Sequence, residues 1–163
     1  MRELDNAAQS EATLPIRFAV ITQNLPTEQL ASELCDRLKL PNEVKELALL
    51  AVRERDLISK ADAIPAGDIV KLLERCDAFR KADRFKDLLT VHKLIHQLKH
   101  NNNNFLSVDV LEASLQVAKA VNAGQIAASV AANNPDNPTQ PIASAVHDAR
   151  VNAVQARLNS LHK

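Results

Sequence analysis

The sequence predicts an all-α fold, a compact bundle of short helices, and three observations predict it. Apolar residues recur at helical rather than alternating spacing almost throughout, Pro and Asn punctuate the chain at short intervals, and no convincing strand is present. With 163 residues, 46% apolar and 25% charged, the chain is of ordinary size for a compact domain, and disordered, collagen-like and coiled-coil readings fit poorly.

A first helix is expected from about Glu3 to Ala8. A second follows Pro15, with Ile16, Phe18, Ala19, Val20 and Ile21 apolar enough to be central to a core, and Pro26 ends it. The third begins near Thr27, is expected to bury Leu30, Leu34 and Leu38 one turn apart, and stops before Pro41. Asn42 is expected to cap the fourth, whose apolar face is Val44, Leu47, Ala48, Ala51 and Val52, with a polar step after it at Arg53 to Asp56. Pro65 and Asp68 announce the fifth, with Ile69, Leu72, Leu73 and Cys76 at i, i+3, i+4 and i+7. The sixth runs from Asp83 toward His100, and Asn101 to Asn104 reads as a loop between two halves. Ser107 is expected to cap the next helix, which buries Val108, Leu111, Leu115 and Ala118. A second loop, Asn133 to Pro138, precedes a last helix from Pro141 to about Leu161.

Composition excludes several function classes. Lys plus Arg and Asp plus Glu both number 20, so no global field draws the chain to nucleic acid or membrane, and an anion site must be a local cluster. The two Gly residues, Gly67 and Gly124, provide no phosphate-cradling loop. Cys35 and Cys76 are far apart, each on an apolar stripe, and are expected to be buried free thiols. No apolar run approaches the roughly 18 residues of a membrane span, and the N-terminus has no signal-peptide stretch, so a cytoplasmic location is expected.

Three constellations stand out. His92, His96 and His100 fall at i, i+4 and i+8, a spacing from which two rings could grip a zinc or nickel ion. The three spread over about 12 Å of rise, however, and a solvated face is the expected reading. Basic residues gather around the sixth helix at Arg80, Lys81, Arg84, Lys86, Lys93 and Lys99, with Arg150 and Arg157 on the last. Either set could touch phosphates, although Glu74, Asp77, Asp83 and Asp87 interleave the first. Phe79, Phe85 and Phe105 are assigned to the core rather than to base stacking, and His147-Asp148 to the surface.

Leu38 to Val44, Asp56-Leu57-Ile58, Ile69 to Leu73 and Asp77-Ala78-Phe79-Arg80-Lys81 follow one another in a recognisable order. With Leu4 to Ala8, Arg17-Phe18-Ala19, Ile142 to Val146 and Arg150 to Ala153, they make the chain resemble the C-terminal part of bacterial CCA-adding enzymes, the tRNA nucleotidyltransferases, beginning inside their HD-type phosphohydrolase domain. The resemblance implies an HD-like domain over residues 1–100, lacking its N-terminal portion, and a C-terminal helical tail over 101–163 packed on it. It also implies a family substrate, tRNA, with Arg80, Lys81, Arg84 and Arg150 as candidate phosphate contacts.

Departures from the family pattern carry the chemical expectation. The metal-binding His-Asp pair that follows Arg-Phe-Ala after three residues is replaced by Gln23-Asn24, a later His-Asp by Arg55-Asp56, and the His-rich segment between them is missing. Amides and a guanidinium are poor ligands beside imidazole and carboxylate. Gln23, Asn24, Arg55 and Asp56 are therefore expected to form a vestigial pocket, without metal or hydrolytic activity. The Gly-Gly-Ser and Asp-x-Asp motifs of nucleotide addition do not occur, so Mg is expected only in an upstream nucleotidyltransferase domain, and this chain alone should not add nucleotides. The expected role is scaffold and tRNA docking for 3′-CCA addition and repair. The alternatives are a working HD phosphohydrolase and a helical dimerisation module, for which a homodimer is the natural assembly.

Overall fold

Helix ends in this chain follow from its prolines and from two left-handed residues. The structure, a computed structural model, describes residues 12–100, 105–133 and 142–161. Among them are eight α-helices and no strand: α1 Leu14–Thr22, α2 Glu28–Arg37, α3 Asn42–Ser59, α4 Ala66–Arg75, α5 Ala82–His100, α6 Leu106–Ala120, α7 Ala123–Asn133 and α8 Ile142–Leu161. The helix expected at Glu3–Ala8 and the loop expected at 101–104 lie outside the described residues, as does the loop expected at Asn133–Pro138 except for Asn133, which is the last residue of α7.

Pro15 lies in the first turn of α1, while Pro41 and Pro65 are the residues immediately before α3 and α4. Thr27 caps α2, its Oγ1 accepting from the Leu30 amide at 3.3 Å. Helices α2 and α4 both stop in a Schellman arrangement. Lys39 (φ 51°) and Asp77 (φ 54°) take the left-handed conformation, and the amides of Leu40 and Ala78 bond back to the carbonyls of Cys35 and Leu73 at 3.1 and 2.9 Å.

Helix α3 is the central element and packs against α1, α2, α5 and α6, while α8 lies across α4, α6 and α7. One continuous core links Ile16 and Val20 of α1, Leu47 and Ile58 of α3, Leu72 and Leu73 of α4, Phe85 and Leu88 of α5, Val108 and Leu111 of α6 and Val154 of α8. The helices after residue 100 thus bury side chains in the same core as those before it. Cys35 and Cys76 are free and buried; burial pushes the Cys76 thiol up to about 12 and also raises Cys35. No helix of the described residues is long and apolar enough to cross a membrane.

Several elements differ from the sequence reading. On α1, Phe18 is half-buried and Ile21 is exposed, because the helix meets the core along Ile16, Ala19 and Val20. On α2, Leu30 and Leu38 are exposed and Leu34 is half-buried, while Ala31 and Cys35 face α3; the small side chains let the helices approach closely. Asn42 is the first residue of α3 and makes no side-chain cap, since Pro41 holds the entry. The polar step at 53–56 continues the helix, because Leu57 and Ile58 prolong its apolar side and Glu54 is buried in ion pairs. Ser107 lies inside α6 and bonds elsewhere, leaving Phe105 at the cap position. Helix α7 was not foreseen: it is rich in Ala, and the Asn122 side chain caps it at the Gln125 amide, 3.0 Å away.

Candidate functional site

The end of α1, the last turns of α3 and the C-terminal half of α5 enclose a cavity of about 590 Å³. Gln23 and Asn24 enter it from the end of α1, Arg55, Asp56 and Ser59 from α3, and Asp62 from the turn that follows. His92, Ile95, His96, Lys99 and His100 descend from α5, and Phe105, Leu106 and Ser107 close the remaining side. The structure therefore brings Gln23, Asn24, Arg55 and Asp56 together, and joins to them the histidine face that the sequence treats as a separate feature.

Arg55 organises one wall. Its Nη1 donates to the backbone carbonyls of Gln23 at 3.0 Å and Leu25 at 3.1 Å, and its Nε stands 3.6 Å from Asp56 Oδ1. Position 55 suits this task because α3 passes directly beside the end of α1. Gln23 is buried, and its Nε2 donates to Asn24 Oδ1 at 3.1 Å. Asp56 points to solvent, its side chain 85% exposed. At the far corner, Ser107 Oγ lies within hydrogen-bond reach of the Ser59 carbonyl (3.1 Å) and of Asp62 Oδ1 (2.5 Å).

The histidines differ from one another, which corrects the expectation of a uniformly solvated face. His92 is buried because the core-facing stripe of α5 includes it. Desolvation, reinforced by the Lys99 charge, pushes it down to about 4, so it is neutral at neutral pH. Its Nε2 is buried with no protein partner. His96 stacks on Phe105, with centroids 4.3 Å apart and planes at 7°, and meets the exposed His100 ring at 4.6 Å. Phe105 thus forms part of a cavity wall instead of acting only as core, and nothing local in the sequence signals that pairing.

Of the four positions that the resemblance groups, only Asp56 offers a charged oxygen donor, and its side chain points to solvent. Gln23 and Asn24 offer amides that bond each other, and Arg55 places a fixed cation beside Asp56. Among the described residues, no group of three or more His, Cys, Asp or Glu side chains is arranged to hold a metal. What the groups present can do is hold the chain end of α1 and offer hydrogen bonds and a ring stack.

The candidate phosphate contacts are already engaged. Arg80 pairs with Asp77 at 2.7 Å, Lys81 with Glu46 at 2.9 Å, and Arg84 with Glu46 and the Cys76 carbonyl. Lys81 and Arg84 hold the Glu46 carboxyl below its usual range, and Arg80 does the same to Asp77. These three bases gather around a shallow groove that they share with Glu43, Asp83 and Asp87. Arg150 lies elsewhere, on α8, with its guanidinium 3.7 Å from the centre of the Phe79 ring and 3.7 Å from Glu74. His147, assigned to the surface, is half-buried and bonds the same Glu74 at 3.0 Å.

Comparison with known proteins gives a consistent kinship. The chain is 35% identical over 184 residues to a multifunctional CCA protein of Herminiimonas arsenicoxydans, covering 99% of this chain and 44% of that one. It is 35% identical to that of Janthinobacterium sp. (strain Marseille), covering 97% and 42%, and 32% identical to that of Cupriavidus pinatubonensis, covering 99% and 42%. No family model matches the chain, and no solved structure matches it. The chain spans less than half the length of these curated relatives. Aligned with them over nearly its whole extent, it belongs to the multifunctional CCA protein family, in keeping with the C-terminal part of a CCA-adding enzyme.

Proposed function

We propose that this chain is the non-catalytic, HD-derived C-terminal portion of a CCA-adding tRNA nucleotidyltransferase, a scaffold that docks tRNA for 3′-CCA addition and repair in the cytoplasm. In this reading residues 1–100 are a degenerate HD-like domain and 101–163 its helical tail. Nucleotide addition and its Mg belong to an upstream nucleotidyltransferase domain. The kinship to multifunctional CCA proteins supports the role. The observation that carries its non-catalytic character is the Arg55 guanidinium fixed on the Gln23 and Leu25 carbonyls, in a cavity where amides replace metal ligands.

Two experiments test it. Hydrolysis of 2′,3′-cyclic AMP with nickel or magnesium should stay at the level of a mock purification; turnover above that level favours the phosphohydrolase reading and sinks this one. Filter binding of tRNA should give an affinity that falls steeply with salt. Replacing Arg80 and Lys81 together with Ala should weaken it. Because both bases are ion-paired to acids, part of their charge is already neutralised, and an unchanged affinity moves the docking surface away from this groove.

A further inference from the structure

Helix α1 is apolar on two opposite sides, and only one of them meets the core. Ile16, Ala19 and Val20 are buried on that side, whereas Leu14, Phe18 and Ile21, at i, i+4 and i+7, fall within an arc of about 60° on the other. Leu14 is 60% exposed and Ile21 44%, with Phe18 half-buried between them. A helix that is apolar all round is ordinarily buried all round, so this row calls for a cover. Arg17 borders the row as the one charged side chain of α1, and its Nε is buried with no hydrogen-bond partner among the described residues.

Residues 1–11 have the composition to supply that cover. Leu4, Ala7 and Ala8 share one side of the helix that spacing predicts at Glu3–Ala8, and Glu3, Asp5 and Glu11 outnumber the single base, Arg2. Only residues 9–13 separate that helix from α1, and Ala12 among them packs on the core. A connection this short makes antiparallel neighbours. Direction then fixes the charge contact. Seen from one end, two antiparallel helices wind in opposite senses, so the residues that precede Leu4 and Phe18 flank the seam on the same side. Those residues are Glu3 and Arg17, and Asp5 falls on the other side.

We infer that residues 1–11 dock antiparallel on the outer face of α1, with Leu4 and Ala8 covering the row of Leu14, Phe18 and Ile21 and Glu3 pairing with Arg17. Because Gln23 and Asn24 enter the cavity from the end of α1, this segment braces that wall of the cavity from behind.

Thiol labelling of the full chain reads the cover directly, since Cys35 and Cys76 are buried and leave little background. Ile21→Cys should react slowly with a maleimide, and adding Leu4→Asp should speed it roughly tenfold, the equivalent of about 1.4 kcal/mol of lost docking. At low salt Glu3→Arg should also speed it, Glu3→Arg with Arg17→Glu should restore the slow rate, and Asp5→Arg should leave it unchanged. A retained urea midpoint separates release of the segment from unfolding of the chain. Should Leu4→Asp unfold the protein, the contrast between Glu3→Arg and Asp5→Arg decides alone. Equal rates with and without Leu4→Asp in the folded chain, protection that grows with protein concentration and so comes from a second copy, or Asp5→Arg acting as Glu3→Arg does overturns the proposal.

Discussion

Arg55 and Gln23, 32 residues apart in sequence, are joined by a hydrogen bond of 3.0 Å from the guanidinium of one to the backbone carbonyl of the other. A second bond to the Leu25 carbonyl makes Arg55 a clamp on the end of α1, where helical carbonyls otherwise lack partners. Charge-assisted bonds of this kind contribute about 1–2 kcal/mol at a part-exposed site. Arg55→Ala should therefore lower the unfolding free energy by that amount, and Arg55→Lys should recover only part of the loss, since one ammonium lacks the planar fork. Equal stability of all three proteins in urea titrations would leave the clamp without energetic content.

Glu54 gives an asymmetric prediction. Its side chain is 2% exposed and receives Arg75 Nη2 at 2.8 Å and Arg53 Nε at 3.0 Å, whereas the two arginines reach solvent. Arg75→Met leaves a buried carboxylate with one partner and should cost about 1–3 kcal/mol. Glu54→Leu instead releases two cations that water can solvate and fills the space with carbon, so it should cost less than Arg75→Met. Chemical denaturation of the pair of variants ranks them; the reverse order refutes this account of the network.

Lys39 occupies a left-handed position at the end of α2 (φ 51°), where an L side chain is strained and glycine is not. Lys39→Gly should raise stability by about 0.5–1 kcal/mol, because relief of strain outweighs the added freedom of the unfolded chain. Asp77, at φ 54°, offers no such clean gain, since its carboxylate holds Arg80 at 2.7 Å. A thermal melt that falls on Lys39→Gly would contradict the strain argument.

The sequence made the helices legible where apolar spacing was regular, as in Ile69, Leu72, Leu73 and Cys76 or Val108, Leu111, Leu115 and Ala118, all buried. It misled on α2, because periodicity finds a leucine row without saying which side of a helix meets its neighbour; the small residues Ala31 and Cys35 took that place. Positions 23, 24, 55 and 56 could be grouped through the resemblance, and they do line one cavity. That His92 and His96 share it, and that Phe105 stacks on His96, depends on how α5 and α6 cross, which no local pattern encodes.

His92 sets the acid limit of this fold. Burial lowers it to about 4 in the folded state, against 6.5 for an unperturbed histidine. Above pH 6.5 it is neutral both folded and unfolded and imposes no penalty. Between pH 6.5 and 4 the unfolded chain binds a proton that the folded chain refuses, so stability falls as pH falls, by about 2 kcal/mol at pH 5 and about 3 kcal/mol by pH 4. Lys99 pushes it further down, while the carboxylates of Glu46 and Asp77, which lie away from His92 and are held below their usual range by their own basic partners, keep their charge at pH 5. His92→Gln, which keeps polar atoms but cannot titrate, should remove this slope. Urea unfolding at pH 7 and pH 5 gives the readout: the difference between the two pH values should shrink by about 2 kcal/mol in the variant relative to the parent. An unchanged difference would mean that His92 accepts its proton in the folded chain, and the buried Nε2 would then have found a partner in solution.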